Sequence, residues 1–214
     1  PLTPTKFLGQ VWPIASKQYP DLRIQLVPFE NEKNIVWNML SHLGSDGQVD
    51  IVVATYDEDF LERRNCTALK LRDLQLSICM SSTHKLAQKE KISIEDLVEA
   101  TRRRGGGKLL LRSDDWMRGY DNVKEIFTHD ERIEKEFYDF LTMDILNRCG
   151  NSNYFLLATE SWIFSHPLIK AVPLDINATL PFGAIHSKKP SEPVKKFLRI
   201  VDFVNLEYKN FQLW

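Results

Sequence analysis

The sequence predicts an α/β protein built as two Rossmann-like lobes joined by two crossover strands. Three observations carry that prediction. Short apolar stretches of strand type alternate with amphipathic stretches of helical period, as in "VDIVVAT", "NIVWNMLSHL", "KLLLRS" and "TMDILNRCG". The scheme runs through once, breaks at the polar run Ser81-Ser82-Thr83-His84, and runs through again. A late segment, "FGAIHSKKP", then offers a path back to the first lobe ahead of a final helix.

The first lobe opens on a helix over residues 3–19, where Leu8, Val11, Trp12, Ala15 and Tyr19 recur at helical spacing. Thr3 and Pro4 fit its N-cap and first helical position, since Pro lacks an N–H that has no partner there anyway. Pro13 falls inside the pattern and is expected to kink or shorten it. "DLRIQLVPF" alternates Leu22, Ile24 and Leu26 as a strand does, and "NIVWNMLSHL" sets Ile35, Met39 and Leu43 on one helical face. "VDIVVAT" is a short buried strand, and a strand, helix, strand order with these connections implies parallel pairing. "LKLRDLQLSICM" is a further extended region with Leu74, Leu76, Ile78 and Met80 in alternation. Residues 1–80 with 187–214 are expected to form this lobe.

Residues 81–186 are expected to form the second lobe. Ser93 and Asp96 make an approximate capping box for a short helix in "ISIEDL". "KLLLRS" is a buried strand, and "DDWMRGYDNVKEIF" a helix with two acids in its first turn, where the macrodipole favours them. "EKEFYDFL" is extended, Thr142 caps the helix "TMDILNRCG", and "YFLLAT", "IKAVPLD" and "LPFGAIHS" follow as strands. The last helix, "SEPVKKFLRIVDFVNLEY", places Val194, Phe197, Leu198, Val201 and Val204 on one face. Lobes joined twice act as a hinge and close around ligands.

The totals exclude several classes. With 28 basic and 29 acidic residues the net charge is −1, a balance that argues against this chain gripping nucleic acid by itself, since phosphate binding relies on a basic face. Cys66, Cys79 and Cys149 are odd in number and far apart, so neither a zinc cage nor a disulfide framework is expected, and a reducing compartment fits. No signal peptide is evident and no apolar run approaches the length of a membrane span. The chain opens on Pro1 directly ahead of a helix, and an upstream segment is expected.

Parallel α/β lobes bind ligands beyond the carboxyl ends of their strands, where helix N-termini present free N–H groups. That rule nominates Thr3, Asn31, Thr55, Ser113 and Thr142; in the alternative reading Thr3, Ser113 and Thr142 are helix caps and nothing more. "TRRRGGGK" matches no phosphate-loop pattern and reads as a solvated loop. His42, His84, His129, His166 and His186 show no metal spacing, Ser81 and Ser82 lack a nucleophile elbow, and Cys149 lies on the apolar side of its helix as a packed thiol. Trp12, Trp37, Trp116 and Trp162 read as core or interface residues. No catalytic set, metal or cofactor is expected.

The order of these elements, with particular residues, resembles the effector-binding region of LysR-type transcriptional regulators, which have the type 2 periplasmic-binding-protein fold. The resemblance rests on "YPDLRIQL", "VDIVVA", "SSTHKLAQKEKISIEDL", "HPLIKAVPLD" and "PFGAIHSKKPSEPVKKFLRIV", in that order, from about Leu2 to Val204. Lys85 stands where the family has Pro, and "TRRRGGGK" lengthens a connection that is short in the family. The family's first strand and its N-terminal winged helix-turn-helix have no counterpart in this sequence.

The resemblance implies a cytoplasmic bacterial regulator whose effector, a small organic acid or amino acid, lies in the cleft between lobes. DNA would be bound only through the missing N-terminal domain, and no membrane is involved. The implied effector-binding set is Thr3, Asn31, Thr55, Ser81, Arg112, Ser113, Thr142 and Asn153, with Ser81, Ser82, Ile185 and His186 as hinge positions. A homodimer or tetramer is expected, with Leu8, Val11 and Trp12 or their neighbours facing a partner. The rival reading is an extracytoplasmic solute-binding protein of a transporter, which has the same fold but works as a monomer; an enzyme on this fold is the third.

Overall fold

The structure, a computed structural model, describes residues 6–27, 40, 43, 49–103, 105–160 and 166–207. Thr3, Asn31, Trp37, His42 and Trp162 lie outside these residues, as does most of the helix expected over 34–43. In chain order the elements are α1 (Lys6–Gln18), β1 (Ile51–Thr55), α2 (Glu58–Arg63), β2 (Cys66–Ser81), a 3-10 turn (Lys85–Gln88), α3 (Ile94–Arg102) and β3 (Leu109–Arg112). They continue as α4 (Arg118–His129), β4 (Lys135–Tyr138), α5 (Met143–Asn151), β5 (Phe155–Thr159), β6 (Ile169–Pro173), β7 (Thr179–Ser187) and α6 (Glu192–Glu207). The chain divides into two units, Pro1–Arg72 with Pro181–Trp214, and Asp73–Leu180. It passes between them inside β2 and inside β7, so each of those strands belongs partly to both.

In the first unit, β1 runs antiparallel to β7 with Val53 opposite Ala184, and β7 in turn pairs with β2. α1 continues through Pro13 to Gln18, with Pro13 on its exposed side and Val11 and Ala15 fully buried one turn apart. It packs on α6, where Lys196 Nζ lies 5.4 Å from the centre of the Tyr19 ring. Leu40, Tyr56, Phe60, Cys66 and Ile185 form a local core. α2, which the hydrophobic pattern does not reveal, starts at Asp57, whose carboxylate accepts the Phe60 N–H at 2.7 Å. It ends at Arg63, and Asn65 just beyond the C-cap Arg64 has a φ of 51°, a left-handed conformation that Asn tolerates. The strand expected from Leu22, Ile24 and Leu26 does not form over residues 22–27. Leu22 is buried, but Ile24 and Leu26 stand 38% and 60% exposed. Alternation sets which side chains share a face; it cannot supply the neighbouring strand whose N–H and C=O groups complete a ladder.

The second unit holds a five-stranded sheet in the order β4-β3-β5-β2-β6. β3 is parallel to β4 and β5, whereas β2 is antiparallel to β5 on one side and to β6 on the other. Helices cross between the parallel strands, as parallel pairing demands. Helical and strand faces meet in one core containing Leu76, Ile78, Met80, Leu97, Leu109, Tyr120, Phe127 and Phe155. Burial of each such side chain contributes roughly 1.5–3 kcal/mol. The expected capping box is complete: Ser93 Oγ accepts the Asp96 N–H, and Asp96 Oδ2 accepts the Ser93 N–H. Asp96 is held below the usual carboxylate range by its bonds from Lys89 and Ser93, which outweigh the opposing cost of burial.

The "SSTH" run is a tight turn. His84 N–H donates to the Ser81 carbonyl at 3.0 Å, Ser82 N–H donates to the Leu168 carbonyl at 2.8 Å, and His84 Nδ1 caps the 3-10 turn by accepting from Leu86 N–H. "TRRRGGGK" is tied down at its end. Gly107 is buried against the backbone of Asn153, whose Nδ2 donates to the Gly105 carbonyl.

Lys135, at the start of β4, holds the end of α4 in place by donating to the carbonyls of Phe127, Thr128 and Asp130 at 2.9, 2.8 and 2.8 Å. Those carbonyls have no helical partner, and a cation at a helix C-terminus also suits the macrodipole. Lys135→Met is expected to lower stability by about 1–3 kcal/mol, measured by urea denaturation, with little change from Lys135→Arg.

Candidate functional site

β3 and β4 end side by side at Arg112 and Tyr138, and the candidate site is the polar edge built there. The Arg112 guanidinium meets the Asp114 carboxylate in a fork, Nε to Oδ1 and Nη2 to Oδ2, both at 3.1 Å. Its carbon Cζ lies 5.3 Å from the centre of the Trp116 ring. Ser113 N–H donates to the Tyr138 carbonyl, which fixes the turn, and Ser113 Oγ donates to Asp139 Oδ1 at 2.5 Å.

Beneath this surface lie two buried phenols. Tyr120 Oη accepts the Arg112 N–H at 3.2 Å and is hydrogen-bonded to Tyr138. Burial pushes Tyr120 up to about 12 and also raises Tyr138, with the neighbouring Tyr120 adding to the latter, so both remain neutral donors and acceptors at physiological pH. Lys124, only 7% exposed, reaches out of α4 to the Asp114 carbonyl at 2.9 Å, Asp115 Oδ1 at 3.0 Å and Asp121 Oδ1 at 3.3 Å. Burial raises Asp121 above the usual carboxylate range, against the opposing pull of Lys124.

α4 begins at Arg118, four residues after the expected start at Asp114. The acids Asp114 and Asp115 are engaged by Arg112 and Lys124, and Asp121 reaches back from the first turn to accept the Trp116 N–H at 2.9 and 3.2 Å. A helix-dipole argument weaker than a charged hydrogen bond loses that competition.

Arg112, Ser113 and Thr142 therefore share the carboxyl edge of the second unit, with Thr142 Oγ1 capping α5 by accepting Ile145 N–H at 3.4 Å. Asn153 precedes β5, and Ser81 ends β2 opposite Ile169, the first residue of β6. Both stand at the amino ends of the parallel strands, the opposite edge from Arg112: Asn153 because β5 runs parallel to β3, and Ser81 because β2 runs against β5. Ser82 follows Ser81 there, while Ile185 and His186 pair with Val52 and Ile51 in the first unit. None of these four hinge positions falls where the units divide, at Arg72–Asp73 and Leu180–Pro181. Thr55, also in the first unit, is buried at the end of β1 opposite Phe182.

Asp114, Trp116, Tyr120, Lys124, Tyr138 and Asp139 were not among the residues the sequence nominated. The signal for the first was the Arg112-x-Asp114 spacing at a strand end. The rest needed the fold.

The three cysteines are buried free thiols; burial pushes Cys149 up to about 12 and raises Cys66 and Cys79 as well. Among the described residues, no group of three or more His, Cys, Asp or Glu is placed to hold a metal, and no helix is long and apolar enough to cross a membrane. A surface groove is lined by Glu95, Val98, Glu99, Arg102 and Arg103, of which Glu99 pairs with Arg103 and Glu95 with Arg132.

No family model matches the sequence, and no curated protein matches it. Solved structures do match. The BenM effector-binding domain with its effector benzoate is 18% identical, with a TM-score of 0.62, over 97% of this chain and 90% of that one. The effector-binding domain of QuiR in complex with shikimate is 13% identical, with a TM-score of 0.63, over 95% of this chain and 91% of that one. CbnR, a LysR family transcriptional regulator, is 14% identical, with a TM-score of 0.60, over 92% of this chain and 65% of that one. Over nearly its whole length, then, the chain has the mixed α/β, type 2 periplasmic-binding-protein-like fold of LysR effector-binding domains.

Proposed function

We propose that this chain is the effector-sensing region of a LysR-type transcriptional regulator, and that its effector is a small organic acid or amino acid. The observation that supports this most is the near full-length likeness to effector-binding domains, two of which hold the carboxylates benzoate and shikimate. The carboxyl edge of the second unit adds Arg112, Ser113 and the capped start of α5, donor types suited to an anion, with Arg112 paired to Asp114 and Ser113 to Asp139. On this reading DNA contact belongs to a winged helix-turn-helix outside this sequence, the regulator works in the cytoplasm, and the chain pairs with copies of itself. An effector changes DNA binding only through a difference in its affinity for two arrangements of the domain.

A panel of aromatic, alicyclic and aliphatic carboxylates and amino acids, read by thermal shift, is expected to give at least one saturable stabilisation. At a hundredfold excess over Kd, linkage gives about 2.7 kcal/mol, a shift of several degrees. Arg112→Gln is expected to weaken the hit at least tenfold without unfolding the chain, since the Asp114 carboxylate it leaves behind is 42% exposed and stays hydrated. A panel with no hit would count against an organic-acid or amino-acid effector, and a monomeric mass in solution would favour the solute-binding reading.

A further inference from the structure

We propose that Arg112 is a carboxylate-binding site that Asp114 holds shut, the Asp114 carboxylate occupying the guanidinium until an anionic ligand displaces it. The geometry is that of a ligand already in place. The two hydrogen bonds at 3.1 Å use Nε and Nη2, and Nη2 also lies 3.0 Å from Oδ1, so one carboxylate occupies one edge of the guanidinium. Trp116 lies over the cation and limits the approach to the plane of the fork. The Arg112 side chain is 15% exposed and Asp114 42%, so the carboxylate is the outer partner and the one that can leave.

What surrounds the pair makes the exchange possible. Asp114 is the only carboxylate bonded to Arg112 among the described residues, and its own oxygens make no other hydrogen bond there. The neighbouring acids are committed elsewhere: Asp115 and Asp121 to Lys124, and Asp139 to the Ser113 hydroxyl. The Asp114 backbone is pinned separately by Lys124 Nζ on its carbonyl at 2.9 Å. Its side chain can therefore rotate into solvent while the turn keeps its shape. One charge-assisted fork is exchanged for another, and no buried group loses its partner.

The consequence is selectivity. A neutral or monodentate ligand does not repay the loss of the Asp114 pair, whereas a carboxylate presented edge-on does. The proposal rests on the effector-sensing reading for its role in the cell, but not for its test.

Formate carries the carboxylate fork and needs no pocket, so it separates the two. On the full 214-residue chain, formate is titrated against the wild type, Asp114→Asn and Asp114→Ser. The readouts are the Arg112 Nε–Hε and Trp116 indole N–H resonances, the former assigned through Arg112→Lys. Both Asp114 variants are expected to bind formate at least about tenfold more tightly than the wild type, the scale of one lost charge-assisted competitor. The Arg112→Gln, Asp114→Asn double variant is expected to lose the saturable Trp116 response. Equal formate affinity in the wild type and both single variants overturns the proposal, as does a response that survives in the double variant. An effector screen without a hit bears on the reading above and leaves this titration to decide the gate.

Discussion

Gly183→Ala is expected to lower stability by about 3 kcal/mol or more, seen as a fall in the urea midpoint followed by circular dichroism. Gly183 lies in β7, opposite Ala54 of β1 and against β2. A methyl group there would sit 2.3 Å from the Leu69 carbonyl oxygen and 3.1 Å from the Lys70 Cα. Both are main-chain atoms of a paired strand, so no side-chain rotation relieves the contact, and the strands must separate and weaken their ladder. This is a close backbone approach of the kind that reserves a strand position for glycine. The diagnostic control is Leu69→Ala combined with Gly183→Ala. If the cost were ordinary side-chain crowding, the double variant would recover; a clash with the Leu69 carbonyl leaves it as unstable as the single one.

Gly183 also marks where sequence reading ends. The period-2 pattern of "LPFGAIHS" identifies β7, but nothing in it says that its neighbours are β1 and β2, or that Leu69 is what a side chain at 183 would strike. Elements with a strong local signal were legible. The Ser93 capping box, the Thr142 cap and the apolar runs of β3 and β5 form where the pattern puts them, because each is decided within a few residues. α2 was missed because six residues give too little periodicity, although Asp57 three residues before Phe60 was a usable cap signal. The stretch 22–27 failed for the opposite reason: it has a pattern and no partner.

The candidate site divides in the same way. The rule that ligands meet the carboxyl ends of parallel strands selects Arg112, Ser113 and Thr142, and these share an edge. Ser81 and Asn153 stand at the other edge because strand direction, which a pattern cannot report, is reversed in β2 and places the start of β5 away from Arg112. The charge state of the site was equally hidden. A lone Arg at a strand end reads as an anion receptor, yet here it already has one carboxylate, with Asp115 in the same turn, Asp121 in the first turn of α4 and Asp139 just after β4. The pairing of Asp115 and Asp121 depends on Lys124, a lysine that the fold buries.

Lys124→Met is for that reason expected to cost more than any surface charge reversal in the unit, about 2–4 kcal/mol at pH 7. Methionine fills the aliphatic volume, so the loss is electrostatic. Asp121, whose side chain is only 20% exposed, loses the cation that offsets its burial, and the Asp114 carbonyl loses its donor. Asp115, 93% exposed, contributes little, which keeps the cost below that of a fully buried pair. The sign of the pH dependence follows from Asp121. Burial already raises its folded pKa above the unfolded value of 3.8, and removing Lys124 raises it further. The penalty is therefore absent below the unfolded pKa and grows as pH rises through the folded one. The stability gap between wild type and Lys124→Met should be widest at pH 7 and should narrow on acidification to pH 4. Adding Asp121→Asn to Lys124→Met should remove most of that pH dependence. A gap that stays constant across this range would mean that Lys124 acts through its bond to the Asp114 carbonyl and not through the Asp121 carboxylate.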